Sequence, residues 1–520
     1  FVLGGAAALR PFSARIRGWS IVAAAVIAIW CAFVLWRGSV VPPASHDVLT
    51  YHLPKAVMLA RAHGYRHFDV PDSRITTFPS NYELLLADVL LLGGSDRLTE
   101  WIGTASYLLF LGIVALYARR WWGDGIHVAA SVMAAAGAPL LLLHSGHDKN
   151  DVMTAAFAAA ALFWSARWCA ERGAVPTMMA IACGATAVGT KMTAAAVVLG
   201  VAPFGIAALI RKPPKPKAFA GALLFAICTF LLCGGWVFIQ NRRAPAPLST
   251  HIASGLPTAE YGEWSHLWKV PYYALRVSLG LGAGWPWPSE NLFSSHYGPL
   301  FGLAVLALPF CIWRYRAGGE RAVAGIAAAI AFFVLLPLPQ YPYIALPSIL
   351  RYTAFIVPVL YGWTLAPLVR DLAMSRYRRY VHGVMALLVA LFAANAADMA
   401  WNDSFAPLPY ARWCAEHPNT REIFWSSSHA ESVVDRMAGP HDKIAIHIGS
   451  DAWIYPAYGA AVSRTVVFAA AVGEIPADAQ WVVIDQNPGS LRFYNAMLRD
   501  RRFRLVYRQE RDNQAVFRRL

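Results

Sequence analysis

Long uninterrupted stretches of apolar residues dominate this sequence. Four of them run for 17 to 21 residues, at positions 20–36, 98–118, 219–239 and 381–399. An α-helix rises about 1.5 Å per residue, so helices of this length match a hydrocarbon core about 30 Å thick. Charged residues make up only 14% of the chain, against about 25% in ordinary globular proteins. The sequence therefore predicts a polytopic α-helical membrane protein, and it excludes a disordered chain or a disulfide-rich secreted scaffold.

Hydropathy along the whole chain predicts eleven membrane spans. They lie at 19–36, 98–118, 126–144, 152–166, 175–190, 192–210, 218–239, 298–313, 322–338, 352–366 and 381–399. Alternate connections between them are basic, with eighteen Lys and Arg residues against four acidic residues. By the positive-inside rule these connections face the cytoplasm, so we expect the N-terminus inside and the C-terminus outside. The net charge of +15 thus indicates topology in an inner membrane and argues against a nucleic-acid partner.

Three of the predicted outward segments are too long to be simple turns, namely 37–97, 240–297 and 400–520. The first is predicted to carry two helices at the membrane surface, 52–62 and 82–92, each ended by glycine. The last changes composition and contains short β-rich runs at 443–448, 465–469, 481–485, 503–507 and 515–518. We therefore predict a transmembrane domain over 1–400 and a small soluble extracytoplasmic α/β domain over 401–520.

Ionisable residues gather at the predicted outer boundary of the membrane, on the periplasmic side. Asp47 follows the first span, and Asp148 and Asp151 lie at the outer end of the third. Lys191 interrupts a long apolar stretch, and Arg351 begins the tenth span. Because irregular backbone meets water at this boundary, we expect the functional site there.

Each of these residues also has a purely structural explanation. An Asp such as Asp47 or Asp151 could cap a helix, and Lys191 could extend its amine to the interface. Histidines could join the aspartates around a metal ion, but no spacing among them is diagnostic. A divalent metal therefore stays possible, with its ligands unassigned. The histidines concerned are His46, His52, His144 and His147.

The order of these motifs resembles the C-type membrane glycosyltransferases, in the branch of the protein O-mannosyltransferases and the lipid A aminoarabinose transferase. The matching positions are Asp47 with Tyr51, Pro79 before the second surface helix, Asn150-Asp151, Thr190-Lys191, and Arg351-Tyr352 followed by Pro358. The resemblance covers about residues 19–208. Two positions depart from the family: Val48 follows Asp47 where many members have paired acids, and Phe78 precedes Pro79 where aminoarabinose transferases have Lys.

The resemblance implies a glycosyltransferase over 1–400 that moves a sugar from a polyprenyl-phosphate donor to an acceptor hydroxyl, with inversion. Asp47 would act as the general base, and we expect partial burial to raise its pKa. The donor phosphate or sugar would be bound by Lys191, Arg351, Tyr51 and Asp151. Acceptor or sugar contacts could come from Asp148, His147 and His52.

The implied partners are the donor lipid, membrane lipid, and a lipid, glycan or protein acceptor. Three other functions stay open at this point. An oligosaccharide or polymer ligase would use a lipid diphosphate donor. A transporter would need polar residues deep in several spans, which are scarce here. A non-catalytic membrane assembly subunit would tolerate the loss of Asp47.

Overall fold

Six helices of the described part of the chain are long and apolar enough to cross a membrane. They are Gly18–Val40, Asp96–Trp122, Asp151–Glu171, Met192–Arg211, Pro216–Gly235 and Tyr380–Asn402. Three shorter apolar helices are Ile126–Ala136, Ala174–Thr190 and Pro299–Tyr315. The structure is a computed structural model. It describes residues 14–65, 68, 70–235, 239, 297–316, 318–335, 351–403, 405–418, 429–449, 452–485, 490–510 and 514–520. The predicted segment 240–297 lies outside the described residues except for its last position.

Two predicted spans are broken in the structure. The span predicted at 126–144 consists of Ile126–Ala136 and Pro139–His144, because the chain turns at Gly137 and restarts with a proline in the first helical turn. The span predicted at 352–366 consists of Ile356–Trp363, which gives way at Thr364 to Leu365–Met374. The sequence runs are apolar throughout, so hydropathy alone does not locate these breaks. A further helix, Glu320–Leu335, contains the described part of the ninth predicted span, 322–335.

The two surface helices predicted in the first outer segment are present, as Leu53–Ala62 and Asn81–Gly93. A π-helical turn, Val48–His52, precedes the first, and the short helix Ser73–Thr77 lies between them. Both surface helices end in a left-handed residue, His63 in one case and Gly94 in the other. Their apolar faces are buried together, and Leu59 and Leu86 lie in one core cluster.

The five predicted strands are also present, and they form one sheet. The strands are β1 (Lys443–Ile448), β2 (Thr465–Phe468), β3 (Trp481–Asp485), β4 (Phe503–Gln509) and β5 (Gln514–Arg519). Their order is β2-β1-β3-β5-β4, with β1 parallel to β2 and β3, and β5 antiparallel to its neighbours β3 and β4. Helices of this part of the chain are Leu408–Glu416, Ala430–Met437, Tyr455–Tyr458 and Ser490–Arg499.

The sheet packs against the surface helices. One hydrophobic cluster contains Leu49 and Leu59 of the first outer segment. The same cluster contains Ile444 of β1, Trp481 of β3, and Trp453, which lies between β1 and β2. Arg61 adds a hydrogen bond from its guanidinium to the carbonyl oxygen of Val462, at 2.7 Å. The residues that follow the first long helix therefore lie between the apolar helices and the sheet.

The predicted sidedness can be tested by cysteine labelling with a membrane-impermeant reagent. Asp88, Lys215 and Asp478 are exposed positions in the first outer segment, a basic connection and the sheet region. Single Cys substitutions at Asp88 and Asp478 should react from outside, whereas Cys at Lys215 should react only after the membrane is opened. The parent protein for these variants should lack Cys228, because this cysteine is exposed in the described part of the chain. If the cysteine at position 215 reacted from outside, the topology would be the inverse of the predicted one.

Candidate functional site

Two carboxylates and two cations from distant parts of the chain form a continuous row of ion pairs. The guanidinium of Arg351 lies 3.1 Å from the carboxylate of Asp47 and 3.7 Å from that of Asp151. The amine of Lys191 lies 2.6 Å from the other oxygen of Asp151. Asp151 is almost fully buried, while Asp47, Lys191 and Arg351 keep 15 to 20% of their side-chain surface exposed. The row is thus partly exposed at Asp47, Lys191 and Arg351.

Breaks in helical structure place these side chains. Asp47 precedes the π-helical turn, and Asp151 is the first residue of a long helix. Lys191 has extended backbone between Ala174–Thr190 and a 3₁₀ turn. Its neighbour Thr190 accepts a hydrogen bond from the Asn150 side chain at 3.1 Å, which ties the two segments together. The structure therefore brings together four of the five residues that the sequence analysis predicted as base and donor contacts.

Lys149 belongs to the same group, and the sequence analysis did not select it. It is buried and interacts electrostatically with Asp47, Asp151, Lys191 and Arg351. Burial lowers its pKa from the ordinary lysine value, with the cations opposing and the carboxylates favouring its charge. The sequence did contain a signal for Lys149, because it lies between Asp148 and Asp151 at the end of an apolar stretch. We call Asp47, Lys149, Asp151, Lys191 and Arg351 the Asp47 cluster.

Aromatic rings complete the surroundings of the cluster. The amine of Lys191 lies 4.3 Å from the centre of the Tyr352 ring, and the Arg351 guanidinium donates to the Tyr352 hydroxyl at 2.9 Å. Tyr51 is buried and carries the guanidinium of Arg74 over its ring at 4.7 Å. A cation within about 6 Å of the face of an aromatic ring is attracted electrostatically by the ring, which favours the charged form of Lys191 and Arg74 here. Tyr352 and Arg74 were not among the predicted site residues.

The expected direction of the Asp47 pKa is wrong. Burial on its own would raise the pKa of this carboxyl group, as predicted, but Arg351 and then Lys149 outweigh burial and hold the pKa well below its usual value. Asp47 is therefore ionised at neutral pH and is engaged by Arg351. Its strength as a base depends on whether that ion pair is maintained when a ligand binds.

The three predicted acceptor contacts lie outside the row of ion pairs. His52 is buried, with Nδ1 2.5 Å from a carboxylate oxygen of Glu83. His147 lies 3.1 Å from Asp403, and Asp148 accepts a hydrogen bond from the Thr99 hydroxyl at 2.7 Å. Burial raises the pKa of Asp148 to about 7. Their contact with an acceptor stays a prediction, since each is engaged with a buried protein partner.

The buried side chain of Lys55 contacts the backbone at Phe78, one of the two positions at which this sequence differs from the family pattern. Lys55 of the first surface helix donates to the carbonyl oxygens of Phe78 at 2.5 Å and Pro79 at 3.4 Å. Burial lowers its pKa to about 8. It therefore anchors the turn before the second surface helix, where Phe78 occupies the position at which the sequence analysis noted a lysine in aminoarabinose transferases.

The Asp47 cluster does not fit a divalent metal ion in its present form. Both of its carboxylates are bound by Lys or Arg side chains. A metal would have to displace these cations, and three cations beside two carboxylates repel a further positive charge. An anionic group fits this charge balance better.

The segment that follows β1 contributes directly to the surroundings of Asp47. The indole nitrogen of Trp453 donates to Nδ1 of His46 at 2.8 Å, and His46 precedes Asp47 in the chain. Tyr455 donates its hydroxyl to Asp96 at 3.0 Å, at the start of the second long helix. The position of the loop that carries Asp47 therefore depends on residues near the C-terminal end of the chain.

Comparison with solved structures identifies the fold. No protein-family model and no curated protein matches the sequence. Apo ArnT from Cupriavidus metallidurans is 15% identical with a TM-score of 0.59, over 97% of this chain and 98% of that one. ArnT from the same organism bound to undecaprenyl phosphate is 14% identical with a TM-score of 0.56, over 96% of this chain and 98% of that one. ArnT is a lipid A aminoarabinose transferase, and this chain has the polytopic helical GT-C fold that ArnT has, as the motifs predicted.

Proposed function

We propose that this protein is a membrane glycosyltransferase that moves a sugar from a polyprenyl-phosphate donor to an acceptor hydroxyl at the outer face of the membrane, with inversion. The observation that carries the proposal is the Asp47 cluster, in which two carboxylates and three cations meet and three of the five side chains are partly exposed. The solved structure of ArnT with undecaprenyl phosphate supports the donor class. Lipid, glycan and protein acceptors are all compatible with this proposal.

The charge of the cluster suits a phosphate monoanion. Lys149, Lys191 and Arg351 exceed the two carboxylates by one positive charge, and a phosphodiester would neutralise that excess. Nε of Arg351 is buried and has no hydrogen-bond partner among the described residues, so it can donate to an incoming oxygen. As the sugar leaves, the phosphate gains negative charge, and preorganised cations stabilise that charge in the transition state.

Binding of the phosphate would also change Asp47. A phosphate paired with Arg351 competes with Asp47 for the same guanidinium and weakens the interaction that lowers the carboxyl pKa. Asp47 then accepts the proton of the attacking hydroxyl while the bond from sugar to phosphate oxygen breaks. Attack from the face opposite the phosphate inverts the anomeric carbon.

The donor class is testable by mass spectrometry of lipid that co-purifies with the protein, followed by transfer assays with synthetic lipids. We expect a polyprenyl phosphate carrying one sugar, and sugar transfer from that lipid. A lipid diphosphate oligosaccharide as the bound and consumed species would instead establish the ligase alternative. A protein that neither binds nor consumes either lipid would contradict both.

Lys191→Ala should weaken binding of the polyprenyl-phosphate sugar about tenfold to hundredfold. A hydrogen bond to a charged group contributes about 1.5–3 kcal/mol, and the partly exposed Lys191 amine is placed to make one with phosphate. Binding can be measured by titration of the donor into detergent-solubilised protein. Lys212→Ala, which alters an exposed lysine outside the cluster, should leave affinity unchanged. Equal affinity of the Lys191→Ala protein would assign Lys191 to interface anchoring.

A further inference from the structure

A second cluster of ionisable side chains lies in the sheet region, away from the row of ion pairs. One potential ligand atom each from His429, Glu431 and Asp485 lies within 4.8 Å of the others. Glu431 and Asp485 are each only 1% exposed. We propose that these three residues bind a divalent transition-metal ion such as Zn²⁺ or Mn²⁺.

The buried carboxyl group of Glu431 is the observation that points to a bound cation. No other described residue donates a hydrogen bond to either of its oxygens, although the side chain is buried, and its side-chain contact is with the carboxyl group of Asp485. An ionised carboxylate in such a place is costly unless a cation or a proton compensates it.

The location in the fold is a second reason to expect a ligand. Asp485 ends β3, and its carbonyl oxygen accepts a hydrogen bond from Gly449 just after the adjacent parallel strand β1. In open sheets with the parallel order 2-1-3, ligands bind in the crevice at the carboxyl ends of β1 and β3. Glu431 reaches this crevice from the first turn of the helix Ala430–Met437.

The ligand atoms of His429, Glu431 and Asp485 indicate which metal ions the site would prefer. One imidazole nitrogen with two carboxylates suits Zn²⁺, Mn²⁺ or Fe²⁺, whereas Ca²⁺ and Mg²⁺ prefer oxygen donors alone. The His429 ring stacks on Trp453 at 4.2 Å, and Trp453 donates to His46 beside Asp47. An ion that fixes His429 would therefore also fix the residues linking the sheet to the Asp47 cluster.

The test uses the purified full-length protein without an affinity tag, first stripped with a chelator. After dialysis against Zn²⁺ or Mn²⁺, we expect about one ion per chain by elemental analysis, and a higher midpoint of thermal unfolding than for the stripped protein. Glu431→Gln keeps the shape of the side chain and removes one anionic ligand. It should weaken ion binding more than about 100-fold, because the loss of even an outer-shell partner costs 10–100-fold.

Two matched controls separate this site from other binding. Asp478→Asn makes the same chemical change at an exposed residue of the same region, and Asp151→Asn makes it in the Asp47 cluster. Both variants should retain the ion. If the stripped wild-type protein takes up neither Zn²⁺ nor Mn²⁺, the proposal is overturned, and a proton compensates the two carboxylates instead. Retention of the full ion affinity in a folded Glu431→Gln variant would overturn it equally.

Discussion

Asp47→Asn should lower the rate of sugar transfer about 10²–10⁴-fold while the donor still binds. The amide keeps the size of the carboxylate but cannot accept the proton of the attacking hydroxyl. Donor affinity should stay equal or rise, because Arg351 loses a competing anion at 3.1 Å and the cluster becomes more positive. Single-turnover kinetics with saturating donor would separate the chemical step from binding.

The control for this prediction is Asp88→Asn, the same change at an exposed residue of the second surface helix. It should leave the rate unchanged. An effect of Asp47→Asn confined to KM would show that Asp47 positions substrate. Normal turnover would make Asp47 a structural residue and direct the search for the base to Asp148 or Asp151.

Asp403→Ala should reduce the free energy of unfolding by about 3–5 kcal/mol. Arg37 and Asp403 are both nearly fully buried, 2.5 Å apart, and Asp403 also accepts from the ring of His147 at 3.1 Å. Removing the carboxylate leaves the guanidinium of Arg37 in the interior without its counter-charge. The change can be followed as a fall in the midpoint of thermal unfolding in detergent.

A double variant distinguishes charge from packing in that prediction. Arg37→Met with Asp403→Ala removes both charges, so it should recover much of the stability lost in Asp403→Ala alone. Arg37 also donates a hydrogen bond to the carbonyl oxygen of Gly146 at 2.7 Å. The guanidinium is tightly packed there, because a Cβ atom added at Gly146 would lie 2.0 Å from it. A double variant no more stable than Asp403→Ala would show that the ion pair is not the source of the loss.

The apolar helices, the surface helices and the strands could be predicted because each depends on a local pattern. The strand Lys443–Ile448 was predicted at its observed ends, and Asn81–Gly93 within one residue at each end. The breaks at Gly137 and Thr364 were missed, since both lie in sequence that stays apolar. Hydropathy records solvent preference, and a helix that turns inside a packed bundle does not change it.

Four of the five members of the Asp47 cluster could be predicted from the sequence, but their contacts could not. Sidedness placed Asp47, Asp151, Lys191 and Arg351 at one boundary, and the structure brings all four together. Lys149 was missed, and the direction of the Asp47 pKa was wrong, for the same reason. Both depend on which charges come within a few ångströms of one another across long sequence separations, and a linear sequence does not contain those distances.

The hydrogen bond from Trp453 to His46 joins residues 407 positions apart. It bears on how truncated alleles of the gene should be interpreted. A premature stop codon shortly after the helix Tyr380–Asn402 would leave all predicted spans and the entire Asp47 cluster encoded. The shortened product would nevertheless lack the indole that holds the residue next to Asp47, so the survival of the codons for the cluster is not evidence that a late truncation spares the site.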